Sequence, residues 1–76
     1  MNLIELERIL EINNVPNDLY SLKGGCPNES YCIEHIDNKW VVYYSERDLK
    51  RTIGFYYNEE DACKAFINEI NTIVGE

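Results

Sequence analysis

Residues 31–57, YCIEHIDNKWVVYYSERDLKRTIGFYY, contain three runs in which apolar and polar side chains alternate. The first two runs flank Asp37 and Asn38, a residue pair that favours the tight turn of a β-hairpin. A charged stretch, RDLKR, separates the second run from the third, which extends from Thr52 to Tyr57. This pattern predicts a three-stranded antiparallel meander.

Two segments with helical periodicity flank the predicted sheet. Residues 2–13 have apolar side chains at three- and four-residue spacing, and Asn2 with Glu5 has the pattern of a capping box. Residues 58–74 show a second apolar stripe behind Asn58, which is a favourable N-cap. The sequence therefore predicts an α+β fold in the order α-β-β-β-α, with both helices packed on one face of the meander.

The chain length sets the domain organisation. Seventy-six residues allow a single domain, residues 1–76, with one core. The segment between the first helix and the meander, residues 15–30, contains two prolines and two glycines and is predicted to be irregular. We expect its larger apolar side chains to pack against the sheet edge or the first helix; they are Leu19, Tyr20 and Leu22.

Strict alternation divides the strand residues between two faces of the sheet. The heavier set is expected to lie under the helices and comprises Tyr31, Ile33, His35, Trp40, Val42, Tyr44, Ile53, Phe55 and Tyr57. The other set is expected to form an open face and comprises Cys32, Glu34, Ile36, Val41, Tyr43, Ser45, Thr52, Gly54 and Tyr56. This open face is unusually apolar for a surface that contacts only solvent.

The chain is strongly acidic, with 14 acidic against 7 basic side chains and a net charge of −7. Nucleic acid and anionic membranes would be repelled, because their binding requires basic side chains that neutralise phosphate. The helix–strand–strand–strand–helix order is that of double-stranded-RNA-binding domains, but here the second helix starts with three acidic residues. A basic protein partner would be attracted, although negative charge also serves solubility alone.

The cysteines and the histidine do not have the spacing of a known metal site. Cys26, Cys32, Cys63 and His35 lack the paired short spacing of zinc-binding motifs, and alternation places Cys32 and His35 on opposite faces. That separation also argues against a Cys–His catalytic pair. We expect no metal, no cofactor and no enzymatic activity, with Cys63 buried in the core and Cys32 half-exposed.

The N-terminal sequence predicts a cytoplasmic protein. Met1 is followed by an acidic segment rather than by the basic and apolar regions of a secretory signal. No window of the sequence approaches the ~20 apolar residues of a membrane span. Reduced thiols in the cytosol are the simplest interpretation of three cysteines.

Two stretches, residues 20–50 (YSLKGGCPNESYCIEHIDNKWVVYYSERDLK) and residues 58–70 (NEEDACKAFINEI), resemble small acidic bacterial immunity proteins encoded near polymorphic toxins. The chain departs from this group at Asp48, where the group has glycine after a Ser-Glu-Arg run. The resemblance implies a cytosolic protein that binds a cognate toxin domain and blocks it. The matching positions are Tyr20-Ser21-Leu22, Gly25, Tyr31-Cys32, Trp40, Val42 to Arg47, Glu60 to Cys63 and Phe66.

Partner binding is expected on the open face and the adjacent hairpin loop. Aromatic side chains would anchor the partner, and acidic side chains would pair with lysine and arginine of a basic toxin such as a nuclease. An alternative is a homodimer or a regulatory interaction domain held together through the same face. The residues expected to bind the partner are Glu34, Tyr43, Glu46, Arg47, Asp48 and Tyr56.

Overall fold

The computed structural model describes residues 1–25, 28–47 and 49–74. The predicted α+β class is confirmed. The elements in chain order are α1 (Leu3–Ile12), a 3-10 turn (Asn17–Leu19), β1 (Tyr20–Ser21), β2 (Ser30–Ile36), β3 (Lys39–Glu46), β4 (Leu49–Tyr56) and α2 (Glu59–Val74).

The sheet has four strands in the order β1-β2-β3-β4. Strands β2, β3 and β4 form the predicted antiparallel meander. Strand β1 lies parallel to β2, with Tyr20 opposite Tyr31 and Ser21 opposite Cys32, so the sheet is mixed and the prediction of three antiparallel strands is incomplete. Two residues are too few to show an alternating pattern, which explains why the sequence did not indicate β1.

The predicted hairpin turn between β2 and β3 is confirmed. Asp37 and Asn38 both have positive φ, 50° and 65°, as a type I′ turn requires at its two central residues. Ile36 pairs with Lys39 across the turn, and Ile33 lies opposite Val42 as expected. The turn therefore fixes the register of the two central strands.

The pairing of β3 with β4 contains a bulge that the sequence pattern did not indicate. Val42 lies opposite Gly54 but Tyr43 lies opposite Thr52, so Ile53 is the extra residue on β4. Beyond the bulge, Tyr56 lies opposite Trp40 and packs against the main core. The expected face assignment of β4 is therefore wrong: Tyr56 is on the helix side, while Ile53, Phe55 and Tyr57 are 36%, 65% and 84% exposed.

Gly54 leaves room on the helix side for the ring of Tyr56. A Cβ atom at Gly54 would lie only 2.6 Å from the Tyr56 hydroxyl oxygen and 2.9 Å from the ring carbon that bears it. The tyrosine ring therefore covers the glycine, which leaves room for it on the same face. Strand β4 also begins at Leu49 rather than at Thr52, because the charged stretch continues the strand.

α2 packs on strands β2 to β4, as predicted, whereas α1 packs against α2 rather than directly on a strand. The buried side chains of both helices, of Val15 and of the central strands form one core, whose members are Leu6, Leu10, Val15, Ile33, Val42, Ala62, Cys63, Phe66 and Ile70. Leu19, Tyr20 and Leu22 pack against this core, as expected.

The two helices are joined where they begin. The predicted capping box of α1 is present, with Asn2 Oδ1 accepting from the Glu5 backbone N–H at 2.9 Å. Asn58 Oδ1 accepts from the Asp61 N–H at 2.8 Å and caps α2. Glu59 of α2 also accepts from the Leu3 N–H at 2.8 Å, so one carboxylate satisfies an otherwise unpaired donor of α1.

Candidate protein-binding surfaces

Tyr43 does lie on the open face, the sheet face opposite the helices, but it is not exposed there. Its side chain is 2% exposed and belongs to a small second cluster with Cys32 and Val41. Its hydroxyl donates to the Gly25 carbonyl oxygen at 2.6 Å and lies 3.1 Å from Glu34 Oε1. The expectation that Tyr43 is an accessible aromatic anchor is therefore wrong.

Glu34 and Lys50 complete the surroundings of Tyr43. Lys50 Nζ lies 3.9 Å from Glu34 Oε1 and 5.0 Å from the centre of the Tyr43 ring. Burial raises the pKa of Tyr43 above its ordinary value, and Cys32 and Glu34 raise it further. This group of polar contacts holds the backbone at Gly25 over one end of the open face, which explains why the expected half-exposed thiol of Cys32 is in fact fully buried.

Tyr56 is separated from the other expected binding residues because the bulge places it on the helix side. Glu46 and Arg47 lie together at the turn between β3 and β4, where the Arg47 N–H donates to Asn28 Oδ1 at 3.3 Å. Asp48 lies outside the described residues. The structure thus brings Glu34 and Tyr43 together on the open face, and it places Glu46 and Arg47 separately at the β3–β4 turn.

A second acidic residue, Glu29, lies close to Tyr44, as Glu46 does, near the turn between β3 and β4. Burial raises the pKa of Tyr44, and both carboxylates raise it further, whereas Arg51 lowers it. Tyr44 and Arg51 also line an open depression of about 330 Å³ beside Leu49, which is 74% exposed. Glu29 lies in an irregular segment far from Glu46 in sequence, so alternation along the strands did not indicate it.

The open face also has an apolar patch near the β2–β3 turn, which we call the open-face patch and define as Ile36, Val41 and Phe55. Phe55 is 65% exposed and Ile36 41%, while Val41 is buried between them. An open depression of about 230 Å³ lies between Ile36, Val41 and Phe55, with Asp37 and Lys39 at its rim. Strict alternation predicts Ile36 and Val41 on this face but predicts Phe55 on the covered face.

Charge is distributed unequally between the two layers of the molecule. The helices carry seven acidic against two basic side chains, and strands β2 to β4 carry two acidic against three basic ones. The acidic helical residues are Glu5, Glu7, Glu11, Glu59, Glu60, Asp61 and Glu69, and the basic ones are Arg8 and Lys64. The corresponding strand residues are Glu34 and Glu46 against Lys39, Lys50 and Arg51.

Glu7 and Glu11 show that the acidic layer is accessible. Both side chains are exposed on α1. Burial raises the pKa of the nearby Tyr20, and the charges of Glu11 and Glu7 add to that increase. In the part of the helices that the structure describes, the ion pairs of α1 and α2 are Glu5 with the N-terminal amine and Glu60 with Lys64. Glu7 and Glu11 therefore present negative charge directly to solvent.

The histidine and the described cysteines are held apart. His35 stacks on Trp40 with ring centres 4.4 Å apart, and Trp40 packs against the main core. Cys32 lies on the other face, as predicted, and Cys63 is buried on the core side of α2. Among the described residues, no group of three or more potential ligands is placed to hold a metal ion, and Cys26 lies outside them.

Fold and surfaces together define a small α+β protein with a mixed sheet, an acidic helical layer and an apolar open-face patch. Neither α1 nor α2 is long and apolar enough to cross a membrane. Comparison with known proteins finds no matching family model, no matching curated protein and no matching solved structure.

Proposed function

We propose that this chain is an immunity protein, which binds a basic toxin domain and blocks it stoichiometrically. The observation that supports this function best is the separation of charge, with seven acidic against two basic side chains on the helices. A basic partner approaching the molecule is attracted most strongly to the helical side. The proposal also agrees with the resemblance of residues 20–50 and 58–70 to such proteins.

The proposed contact surface is the solvent side of α1, around Glu7 and Glu11. The backbone of a rigid helix loses little further freedom on binding, which favours association. Lysine and arginine side chains that bind substrate in a basic toxin, such as a nuclease, would pair with these carboxylates. Occupying those side chains would exclude the anionic substrate, so neutralisation requires no chemistry from this chain.

The first test is protection from the toxin encoded beside this chain's own gene. Bacteria that express the toxin should grow when they also express this chain and should stop growing without it. Purified toxin and chain should associate, and their Kd should rise with salt concentration, because screening weakens attraction between exposed charges. Equal growth arrest with and without the chain would refute the proposed function.

Charge reversal on α1 tests the surface separately from the activity. The double variant Glu7→Lys with Glu11→Lys should bind the toxin about tenfold more weakly, or worse, because attraction becomes repulsion. The matched control is Glu29→Lys with Glu46→Lys, which changes the net charge equally but lies near the β3–β4 turn. If the control loses binding and the α1 variant does not, the contact surface is the turn, as the sequence predicted for Glu46.

A further inference from the structure

The open-face patch is the part of the sheet that the chain's own described segments leave bare. At one end of the open face, the Gly25 carbonyl oxygen accepts a hydrogen bond from the Tyr43 hydroxyl, and Cys32 and Tyr43 are buried. At the other end, Phe55 and Ile36 remain 65% and 41% exposed around an open depression. Aromatic and aliphatic side chains around a concave surface are typical of protein interfaces.

The charges around this patch differ from those of the helices. Directly opposed residues share a face, so Glu34, Lys39 and Lys50 lie on the open face with Val41, Ile36 and Ser45. Glu34 is already paired with Lys50. This leaves one acid and one base at the rim of the depression, Asp37 and Lys39. The surface is therefore apolar and electrically balanced, and it does not favour a basic partner.

We propose that a second copy of this chain covers the open-face patch and forms a two-fold symmetric dimer. In such an interface the same surface serves both copies, so Lys39 of each copy would meet Asp37 of the other. Phe55 of each copy would enter the depression beside Ile36 and Val41 of the other. One balanced charge pair at the rim and an apolar centre make the patch complementary to itself.

Electrostatic repulsion between the copies favours this arrangement over others. Each copy has a net charge of −7, and most of the excess lies on the helices. Packing the two open faces together leaves both helical layers on the outside, separated by more than the sheet-to-sheet distance of about 10 Å. That distance exceeds the screening length of about 8 Å at physiological salt. Both acidic layers then remain free for other partners.

Sedimentation equilibrium over a wide range of concentration tests the dimer. The chain should approach twice its mass of 8.9 kDa as concentration rises. Phe55→Asp should raise the dimer Kd at least about 30-fold, because it would bury an unpaired carboxylate at the centre of the interface. Leu49→Asp is the matched control, since Leu49 is also exposed on β4 but lies beside Tyr44 at the other turn, and it should dimerise normally.

Salt dependence separates this interface from binding to a basic toxin. Higher salt should change the dimer Kd little, because the acidic layers already lie farther apart than the screening length, whereas it weakens attraction to a basic partner. A mass of 8.9 kDa at every concentration would overturn the proposal. So would a dimer that Phe55→Asp leaves intact, or one that Leu49→Asp disrupts equally. None of these results bears on protection from the toxin, and Phe55→Asp should protect as well as the unchanged chain.

Discussion

Gly24 shapes the segment that lies over one end of the open face. Its φ is +75°, a backbone conformation that residues with a Cβ rarely adopt. A Cβ added at this position would lie 2.6 Å from the Glu34 carboxyl carbon. Ser21 Oγ donates to the Gly24 carbonyl oxygen at 3.0 Å, which holds the backbone in place. Glycine at this position therefore permits both the turn and the contact of Glu34 with Tyr43.

Two adjacent glycines allow these effects to be separated. Gly25 also has positive φ, +88°, but an added Cβ there would meet no described atom within 4 Å. Gly25→Ala should lower the free energy of unfolding by about 1 kcal/mol through backbone strain alone. Gly24→Ala should lower it by about 2–3 kcal/mol, because Glu34 must also move. Urea denaturation of both variants measures the difference, and equal losses would show that the Glu34 contact contributes nothing.

At the scale of elements, the β2–β3 hairpin and the β4 bulge determine which strand side chains face the helices and which face solvent. The type I′ turn at Asp37 and Asn38 fixes which side chains of β2 and β3 lie under the helices. The bulge at Ile53 then shifts β4 by one residue relative to strict alternation. Phe55 is exposed on the open face for this reason, and Tyr56 is packed against the core.

The turn requires a positive φ at Asn38, where φ is 65°. Asn38→Ala should lower the free energy of unfolding by about 1 kcal/mol, because asparagine tolerates the left-handed region better than alanine does. Asn38→Gly should not lower the free energy of unfolding, since glycine is favoured at this turn position. Thermal or urea denaturation of the two variants provides the measurement. Equal destabilisation by both would mean that the asparagine side chain, rather than the backbone conformation, matters.

At the scale of the whole molecule, burial of titratable groups couples stability to alkaline pH. Burial raises the pKa of the Cys63 thiol to about 11 from an ordinary value of 9.0, and Glu59 adds to the increase while the N-terminal amine opposes it. Burial likewise raises the pKa of Tyr43. Above pH 9 the unfolded chain releases these protons while the folded chain keeps them, so the folded state binds more protons and stability falls as pH rises.

Urea denaturation at a series of pH values tests this coupling. The free energy of unfolding should decline from about pH 9 upward and continue to decline as pH approaches 11. Cys63→Ala removes the thiol, so its baseline stability is lower but its decline over the same range should be shallower. A decline equally steep in the variant would assign the whole effect to other groups, such as Tyr43.

The distribution of charge over the whole molecule bears on both the toxin-binding proposal and the dimer proposal. The helical layer holds most of the excess negative charge, while the open face is balanced. In the two proposals, the acidic helical side binds a basic partner and the balanced open face binds a second copy. A dimer through the open-face patch would present two acidic layers at once.

Local patterns in the sequence determined both helices, their N-caps and the three long strands of this protein. Asn2 with Glu5, Asn58 with Asp61 and the Asp37–Asn38 turn depend on contacts between near neighbours, which composition and spacing reveal. The net charge, which suggested a basic partner, is likewise a property of the sequence alone.

Tertiary structure decided which side chains reach the surface. Strand β1 is too short to have a pattern, and the bulge at Ile53 arises only from pairing with β3. Tyr43 is buried because a segment distant in sequence supplies the Gly25 carbonyl that its hydroxyl needs. These contacts join residues that no periodicity relates, so only the folded chain shows that Phe55 is exposed and Tyr56 is covered.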